Sequence, residues 1–525
     1  MAMPRSLMLG LLVLVCLLAV FTEPTTAGFN PSEFPNGFYF GSATSAFQVE
    51  GEANKSGRGP SVWDTYVHEQ PERILDGSNA DVAVDFYHRY KEDLKRMKDN
   101  GLNSFRFSIS WSRVIPRLEP FVTIFHWDTP QALEDKYGGF LSENIVADYR
   151  DYADFLFRTF GDRVRHWITL NEPWAYAAWG FDTGEFAPGR CSSWVRRACK
   201  AGNSATEPYI VAHNLLLSHA TAVQLYRQKY KTTQKGKIGF TLDSYWFEPY
   251  SSDTRDVDAT KRSIDFHFGW FMDPATFGDY PRTMRDNVKE RLPNFTIEES
   301  KMMKGSLDFV GVNYYSARYA VNVEYVDPQR LSYNNDAHRE LKFEDSKGNS
   351  IGPEAALTWL RVVPYGIRYL LNYTKDTYRN PEIFVTENGV AHDNETTPYE
   401  DIVHDKMRTD YYDSHLGNVS EAMRNYGVNV KGFFAWSFMD NFEWSSGYTK
   451  RFGLTYINYD QNLTRTPKDS SKWFTNKLLP KLVSDDIDYK LPGSLGFRNL
   501  TISRRSNIMC GHAICKSAYS NLRVP

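Results

Sequence analysis

The sequence predicts an α/β fold, a single (β/α)8 TIM barrel with long loops after its strands. Short apolar runs alternate with longer segments in which apolar residues recur every three or four positions, a pattern typical of a parallel sheet covered by helices. Eight such runs form one continuous series, without a fixed-period repeat or a low-complexity segment. A chain of 525 residues could form two or three average domains, but the continuous series favours one barrel.

The eight strand candidates are short and rich in β-branched and aromatic residues. They lie at Phe38–Phe40, Ser104–Ser110, Phe121–Phe125, His166–Leu170, Lys237–Leu242, Asp308–Asn313, Glu382–Thr386 and Lys431–Ser437. The clearest helical periods are at Val82–Lys98, Ile145–Thr159, Pro208–Tyr230 and Asp405–Tyr426.

The N-terminal residues have the pattern of a secretory signal peptide. Arg5 provides a positive start, Leu7–Phe21 is an apolar run, and Thr25–Ala27 offers small residues for cleavage. A membrane anchor is the alternative, disfavoured because the run is short and lacks a basic flank. A net charge of −3 gives no electrostatic reason to expect binding to nucleic acid or to an anionic membrane. The expected organisation is a signal peptide at 1–27, a barrel at 28–490 and a C-terminal extension at 491–525.

Four cysteines follow the signal and form two short-range pairs, Cys191 with Cys199 and Cys510 with Cys515. In an oxidising compartment this spacing suggests two small disulfide loops, with free thiols as the alternative for the second pair. No metal site is expected at these cysteines. Seven Asn-x-Ser/Thr sequons fit a glycosylated secretory protein. They are Asn54, Asn294, Asn372, Asn394, Asn418, Asn462 and Asn499.

Two glutamates follow apolar strand candidates in similar settings. Glu387 ends a β-branched and aromatic run before an Asn-Gly turn, and Glu172 follows Trp167–Asn171 and precedes a proline that stops strand pairing. Either glutamate alone could be a surface residue at a strand end. Together, two carboxylates at the ends of two strands are the minimal equipment for glycoside hydrolysis.

These two segments, Thr-Leu-Asn-Glu-Pro and then Thr-Glu-Asn-Gly, resemble the motifs of glycoside hydrolase family 1, and of its plant β-glucosidases in particular. The resemblance extends from about residue 30 to about residue 480. It implies a retaining exo-β-glycosidase that needs no metal or organic cofactor, with Glu387 as nucleophile and Glu172 as acid/base. Arg106, a charge inside an apolar strand, is expected to keep Glu387 ionised. Tyr315 matches the family tyrosine that contacts the nucleophile.

The resemblance also implies a set of sugar-binding residues and one disulfide. The expected glycone is glucose, with fucose or galactose as alternatives, and Trp436 is the expected aromatic platform. Cys191–Cys199 matches a loop disulfide common in the plant relatives. The polar and aromatic groups around the sugar are expected to be Gln48, His126, Asn171, Asn313, Glu443 and Trp444.

The connection between Ser110 and Phe121 is unusually short. A crossover between parallel strands needs at least about 10–12 residues and normally contains a helix, but this segment holds two prolines and no helical period. The plant relatives have roughly thirty more residues here, including the second barrel helix. Two interpretations stay open: a short loop that the fold tolerates, or, as we favour, a missing exon or gene-model error that removes this helix. In the second case, the apolar outer faces of two strands would meet water.

The first hypothesis is therefore an enzyme that hydrolyses O-linked β-glucosides of small plant metabolites in the apoplast or vacuole. A homodimer is one possible assembly. The alternatives are transfer of the sugar to another acceptor, a catalytically impaired product that at most binds sugars, and a myrosinase-like thioglucosidase. Myrosinases typically carry glutamine at the acid/base position, so Glu172 argues against that branch. The segment Asn388–Glu395 also offers no lysine or arginine for a sulfated aglycone.

Overall fold

The structure, a computed structural model, describes residues 28–53, 55–110 and 119–488. The described residues up to Leu482 belong to one compact unit. No helix among the described residues is long and apolar enough to cross a membrane. The predicted signal peptide, the second cysteine pair and the sequons Asn54 and Asn499 lie outside the described residues, as do residues 111–118 of the short connection.

Eight parallel strands form a closed barrel, which confirms the predicted fold class. Each strand pairs with the next one in the chain, and the last pairs with the first. The first strand continues past the predicted end to Thr44, because the small residues after Phe40 pair with both of its neighbours. The strands are Tyr39–Thr44 (β1), Ser104–Ser108 (β2), Glu119–Phe125 (β3), His166–Asn171 (β4), Lys237–Asp243 (β5), Phe309–Asn313 (β6), Ile383–Asn388 (β7) and Val430–Trp436 (β8).

The longer helices follow the barrel strands in the chain. They are Phe86–Asp99 (α1), Asn144–Phe160 (α2), Glu207–Leu225 (α3), Thr254–Ile264 (α4), Trp270–Phe277 (α5), Pro364–Thr377 (α6), Lys406–Tyr426 (α7) and Asp469–Asp488 (α8). The first begins four residues later than its apolar period predicts, because Asp85 adopts a left-handed conformation with φ of 54°.

Shorter elements lie in the loops. The short α-helices are Ala46–Val49, Val62–Glu69, Gln131–Tyr137, Pro173–Phe181, Lys231–Gln234, Arg282–Val288, Ile297–Met303, Tyr333–Asp336 and Tyr399–Val403. The additional strands are Trp246–Pro249, Ala317–Asn322 and Arg339–Lys342 in one small sheet, His392–Asp393 with Lys450–Arg451, and Thr455–Asn458 with Thr464–Pro467.

Aromatic rings fill the interior of the barrel below the carboxyl ends of the strands. The Phe121 ring stacks on His166 at 4.1 Å between centroids and meets the edges of Phe384 and Phe434 at 4.9 and 4.8 Å. These side chains come from different strands, and all are buried. Such a packed interior leaves the carboxyl ends of the strands as the place where polar side chains can converge.

The connection between β2 and β3 is the shortest in the barrel. Only residues 109–118 separate these two strands, whereas the next shortest connection, between β3 and β4, comprises residues 126–165. Helix α1 buries only Asp93 and Met97, while α2 buries six side chains. Helix α1 therefore contributes less apolar burial than α2. The predicted loss of the second barrel helix concerns residues outside the described part of the chain.

Candidate active site

The two glutamates lie at the carboxyl ends of strands across the barrel. Glu387 is within β7 and is 4% exposed, while Glu172 follows β4 and is 8% exposed. Glu172 has a φ of 42°, and its backbone N–H donates to the Thr241 carbonyl of β5 at 2.9 Å. This bond continues the pairing of β4 with β5 and fixes the direction in which the Glu172 side chain leaves the strand.

Arg106 and Tyr315 hold the Glu387 carboxylate, as the sequence predicts. The Arg106 guanidinium, fully buried in β2, donates to Oε1, and the Tyr315 hydroxyl donates to Oε2 at 2.7 Å. Burial raises the pKa of Glu387, whereas Arg106, Tyr315 and Asn313 lower it. These groups favour the ionised form that a nucleophile requires.

Glu172 has the opposite electrostatic setting. Burial raises its pKa well above the ordinary value, and the negative charges of Asp243 and Glu387 raise it further. Asn313 donates to Glu172 Oε1 at 2.6 Å. Burial raises the pKa of both carboxyl groups, but the charges of Asp243 and Glu387 favour the protonated form of Glu172, whereas Arg106 and Tyr315 favour the ionised form of Glu387. Glycoside hydrolysis requires such a pairing.

A chain of hydrogen bonds joins the two carboxyl groups through Asn171. The Asn313 amide donates to Glu172 Oε1 at 2.6 Å and to Asn171 Oδ1 at 3.2 Å. Arg106 donates to the same Asn171 oxygen and to Glu387. The Thr386 hydroxyl donates to Asn313 Oδ1 at 2.7 Å, which turns the amide nitrogen towards the carboxylates.

The predicted polar sugar-binding residues line the same end of the barrel. Asn171 accepts from Arg106, and its amide nitrogen lies 3.1 Å from His126 Nε2. Burial and the charge of Arg106 lower the pKa of His126 well below its usual value, so the ring is neutral. His126 Nδ1 is buried without a partner among the described residues. Gln48 Nε2 donates to Asn441 Oδ1 at 3.0 Å and to the Phe442 carbonyl at 2.8 Å.

The predicted aromatic residues adjoin this polar set. Trp436 ends β8, is joined to Ser437 by a cis peptide bond, and faces His126 with ring centroids 6.2 Å apart. Trp444 stacks on the same imidazole at 5.8 Å. Burial and the charge of Glu387 raise the pKa of the Glu443 carboxyl well above the usual value, and Trp436 opposes this rise. The structure thus brings all the predicted site residues together at one end of the barrel.

Asp243 and His267 were not predicted as site residues from the sequence. Asp243 ends β5, beside Asn313 in the register, and accepts from His267 at 2.7 Å between Nε2 and Oδ2. The His267 ring stacks on Trp174, two residues after Glu172, at 3.7 Å. The sequence did contain a signal for Asp243, because it is a polar residue at the end of an apolar strand, in the same frame as Asn171 and Asn313.

Cys191 and Cys199 form the predicted disulfide, with 5.5 Å between their Cα atoms. The described sequons differ in access. Asn294 and Asn462 are exposed, whereas Asn372 and Asn394 are partly buried. Asn418 is fully buried within α7 and donates to the Ser414 carbonyl, so the folded chain does not present it for glycosylation.

A closed (β/α)8 barrel with two buried carboxyl groups at the ends of its strands is the arrangement of a glycoside hydrolase. The family model of glycosyl hydrolase family 1 matches residues 30–119 and 117–479. The chain belongs to this family. The two matched segments meet at the short connection between β2 and β3.

Curated relatives and solved structures are similar along most of the chain. Beta-glucosidase 12 of Oryza sativa subsp. indica is 49% identical over 502 residues, which cover 90% of this chain and 98% of that protein. A crystal structure of a rice β-glucosidase is 45% identical, with a TM-score of 0.83 over 86% of this chain and all of that one. A β-glucosidase from the fungus Humicola insolens, in complex with glucose, is 41% identical, with a TM-score of 0.80 over 87% of this chain and 98% of that one.

Proposed function

We propose that this enzyme is a retaining exo-β-glucosidase that hydrolyses O-linked β-D-glucosides of small aglycones. The observation that carries the proposal is the hydrogen-bonded chain Glu387–Arg106–Asn171–Asn313–Glu172, which joins the two glutamates inside one buried site. Retaining glycosidases place their carboxyl groups about 5–5.5 Å apart, whereas inverting enzymes need about 6.5–9.5 Å to admit a water. The charge of Glu387 raises the pKa of Glu172, and this electrostatic coupling supports a short separation.

The mechanism assigns a separate role to each side chain. Glu387 attacks the anomeric carbon while Glu172 donates its proton to the departing glycosidic oxygen, which yields a covalent glucosyl-enzyme. The negative charge of Glu387 is then lost, so the pKa of Glu172 falls, and Glu172 can take a proton from the attacking water. Arg106 and Tyr315 orient Glu387 for attack and stabilise it when it leaves in the second step.

Glucose as the glycone is supported by the site and by the relatives. The Trp436 ring, the unpartnered His126 Nδ1 and the Glu443 carboxyl offer an aromatic platform and polar groups for sugar hydroxyls. The Humicola insolens enzyme was solved in complex with glucose, and the curated relatives include furcatin hydrolase of Viburnum furcatum, 50% identical over 467 residues. Glu172 supports an O-linked leaving group, because an oxygen aglycone benefits from protonation.

Kinetics of two substitutions test this mechanism. Glu387→Ala should abolish turnover of an aryl β-D-glucoside. Glu172→Ala should slow poor leaving groups far more than good ones, because only the former need the proton. NMR of the first-formed sugar should show the β-anomer. The matched control is Glu400→Ala, whose carboxylate is 76% exposed. An α-anomeric first product, or equal loss for all leaving groups, would contradict the retaining mechanism.

We also propose that the chain enters the secretory pathway. The apolar run Leu7–Phe21 and the disulfide Cys191–Cys199 support this localisation. Expression of the full chain in plant cells tests it: the mature N-terminus should lie near Gly28, and glycans should occupy the exposed Asn294 and Asn462 but not Asn418. A chain that retains its N-terminal residues and carries no glycan would overturn this proposal.

A further inference from the structure

A buried ionic cluster lies directly behind the loop that carries Glu443. Its centre is Asp440, which is fully buried four residues after β8 ends. Lys468 Nζ donates to Asp440 Oδ1 at 2.7 Å, and Arg451 Nη1 donates to Oδ2 at 2.8 Å. The backbone N–H of Gly453 adds a bond to Oδ1 at 2.9 Å. The carboxylate is thus held on both oxygens by groups from later parts of the chain.

The burial of these charged groups carries a large desolvation free energy. The side chains of Lys468 and Asp440 are completely buried, and that of Arg451 is 4% exposed. Burial lowers the pKa of Lys468 to about 7, although the charge of Asp440 raises it. A buried ion pair adds little net stability compared with apolar side chains of the same size, but it becomes very unfavourable when one partner is removed. We therefore relate the ionic cluster to the geometry that it imposes on the neighbouring loop rather than to net stability.

That geometry reaches the sugar-binding residues through Asn441. The Asn441 amide donates to Ser437 Oγ at 2.9 Å, and its Oδ1 accepts from Gln48 at 3.0 Å. Gln48 in turn binds Phe442 through both main-chain groups: its side chain donates to the carbonyl at 2.8 Å, and its own carbonyl accepts from the N–H at 3.2 Å. The position of Asp440 therefore sets the orientation of the Gln48 amide and the path of the chain into Glu443.

We propose that Lys468, the residue immediately before the C-terminal helix α8, is a positioning residue for glucose binding. Through Asp440 it holds the turn Asn441–Glu443 in the conformation that binds Gln48. This role rests on the proposed glucosidase function, because it concerns the sugar-binding side of the same site. Lys468 acts through Asp440 and touches neither catalytic glutamate. The link also couples the beginning of α8 to the active site.

The test compares three variants of the full-length enzyme with an aryl β-D-glucoside. Lys468→Met should raise both KM and the inhibition constant of glucose roughly tenfold or more, since small displacements of binding groups are costly. The variant Lys468→Gln should weaken binding less than Lys468→Met, because its amide can still donate to Asp440, which keeps its pairing with Arg451. The control Lys472→Met removes an exposed lysine that pairs with Asp469 at 2.7 Å on the same helix, and should bind glucose normally.

Each outcome has a distinct meaning if all assays run well below the unfolding midpoint of each variant. A Lys468→Met enzyme with a lower unfolding midpoint but wild-type glucose inhibition would overturn the positioning role. If this variant does not fold, Lys468→Gln decides: wild-type KM and glucose inhibition there would overturn the role. A wild-type chain that does not hydrolyse the glucoside would instead contradict the proposed function, so the two failures are distinguishable.

Discussion

Asn313 and Thr386 show how single residues organise the chemistry. The Thr386 hydroxyl fixes the orientation of the Asn313 amide. That amide donates hydrogen bonds to Glu172 at 2.6 Å and to Asn171 at 3.2 Å. The two catalytic glutamates are nearly equally buried, so burial alone cannot separate their roles. The difference comes from their neighbours, because Arg106 and Tyr315 stabilise charge on Glu387 while Asp243 opposes charge on Glu172.

Asp243→Asn is expected to lower the pKa of Glu172. The substitution removes a negative charge that disfavours ionisation of Glu172, so the alkaline limb of the kcat/KM profile should move to lower pH by roughly one unit. The measurement is a pH–rate profile with an aryl glucoside that needs leaving-group protonation. A uniform loss of rate at every pH, with the limbs unmoved, would mean that Asp243 only maintains the local structure.

At the scale of elements, close strand packing depends on small residues as much as on the aromatic rings. Gly311 in β6 lies between β5 and β7, and a Cβ at this position would approach Thr241 Oγ1 to 2.2 Å and Thr386 Oγ1 to 2.7 Å. These threonines lie directly below the site, where their hydroxyls are 3.2 Å apart. The absence of a side chain at Gly311 therefore lets the layer beneath the catalytic residues pack without distortion.

Gly311→Ala should destabilise the fold by about 1–3 kcal/mol through overpacking between β5 and β7. It should also reduce kcat, because Thr386 orients Asn313. Urea unfolding and steady-state kinetics measure the two effects. The control is Gly59→Ala, at an exposed glycine where a Cβ would meet nothing within 4 Å. Unfolding curves that coincide with the wild type would show that the strands can separate to admit a methyl group.

The whole molecule buries several histidines in neutral form. Burial lowers the pKa of His219 and His415 to about 3 and that of His213 to about 4. The unfolded chain takes up these protons below its ordinary histidine pKa, near 6.5, whereas the folded chain does not. The free energy of unfolding should therefore fall as the pH drops from about 6.5 towards 4, by up to about 1.4 kcal/mol per pH unit for each histidine.

His219→Gln should make this decline shallower. The imidazole nitrogens lie 2.7 Å from Thr169 Oγ1 and 3.0 Å from Ser306 Oγ, so an amide can replace part of the hydrogen bonding. Urea unfolding at pH 7, 6, 5 and 4 would then show a smaller loss of stability per pH unit than in the wild type, even though the variant is less stable at pH 7. Parallel profiles for the two proteins would show that His219 takes up its proton equally in both states.

The short connection between β2 and β3 has a consequence for the stability of the entire barrel. Replacing residues 109–118 with a longer connection that contains an amphipathic helix should raise the free energy of unfolding by several kcal/mol, since each newly buried apolar side chain contributes about 1.5–3 kcal/mol. Helix α1, with only two buried side chains, should gain the most protection. The measurements are urea unfolding and hydrogen exchange in α1. A Gly/Ser insertion of equal length is the control, and equal effects of both insertions would contradict the expectation.

Much of the fold could be predicted because its signals are local. Runs such as Lys237–Leu242 and Glu382–Thr386 have the composition of strands that are buried on both faces, and both are barrel strands. Helix ends were less predictable: the start of α1 depends on the left-handed backbone of Asp85, which has no distinctive sequence signal. Asp243 was missed because its role depends on β5 lying between β4 and β6, and this adjacency is a property of the closed sheet.

The sequence by itself determined the strand series, the cysteine pair and the two glutamates at strand ends, because each depends on residue types at fixed positions along the chain. Only the tertiary structure decided how these residues interact. Residues hundreds of positions apart, such as Arg106 and Glu387 or Asn441 and Gln48, come into contact because the barrel closes. The pKa values of Glu172 and Glu387 are raised to different extents for the same reason, since burial and neighbouring charges arise from packing and have no local counterpart in the sequence.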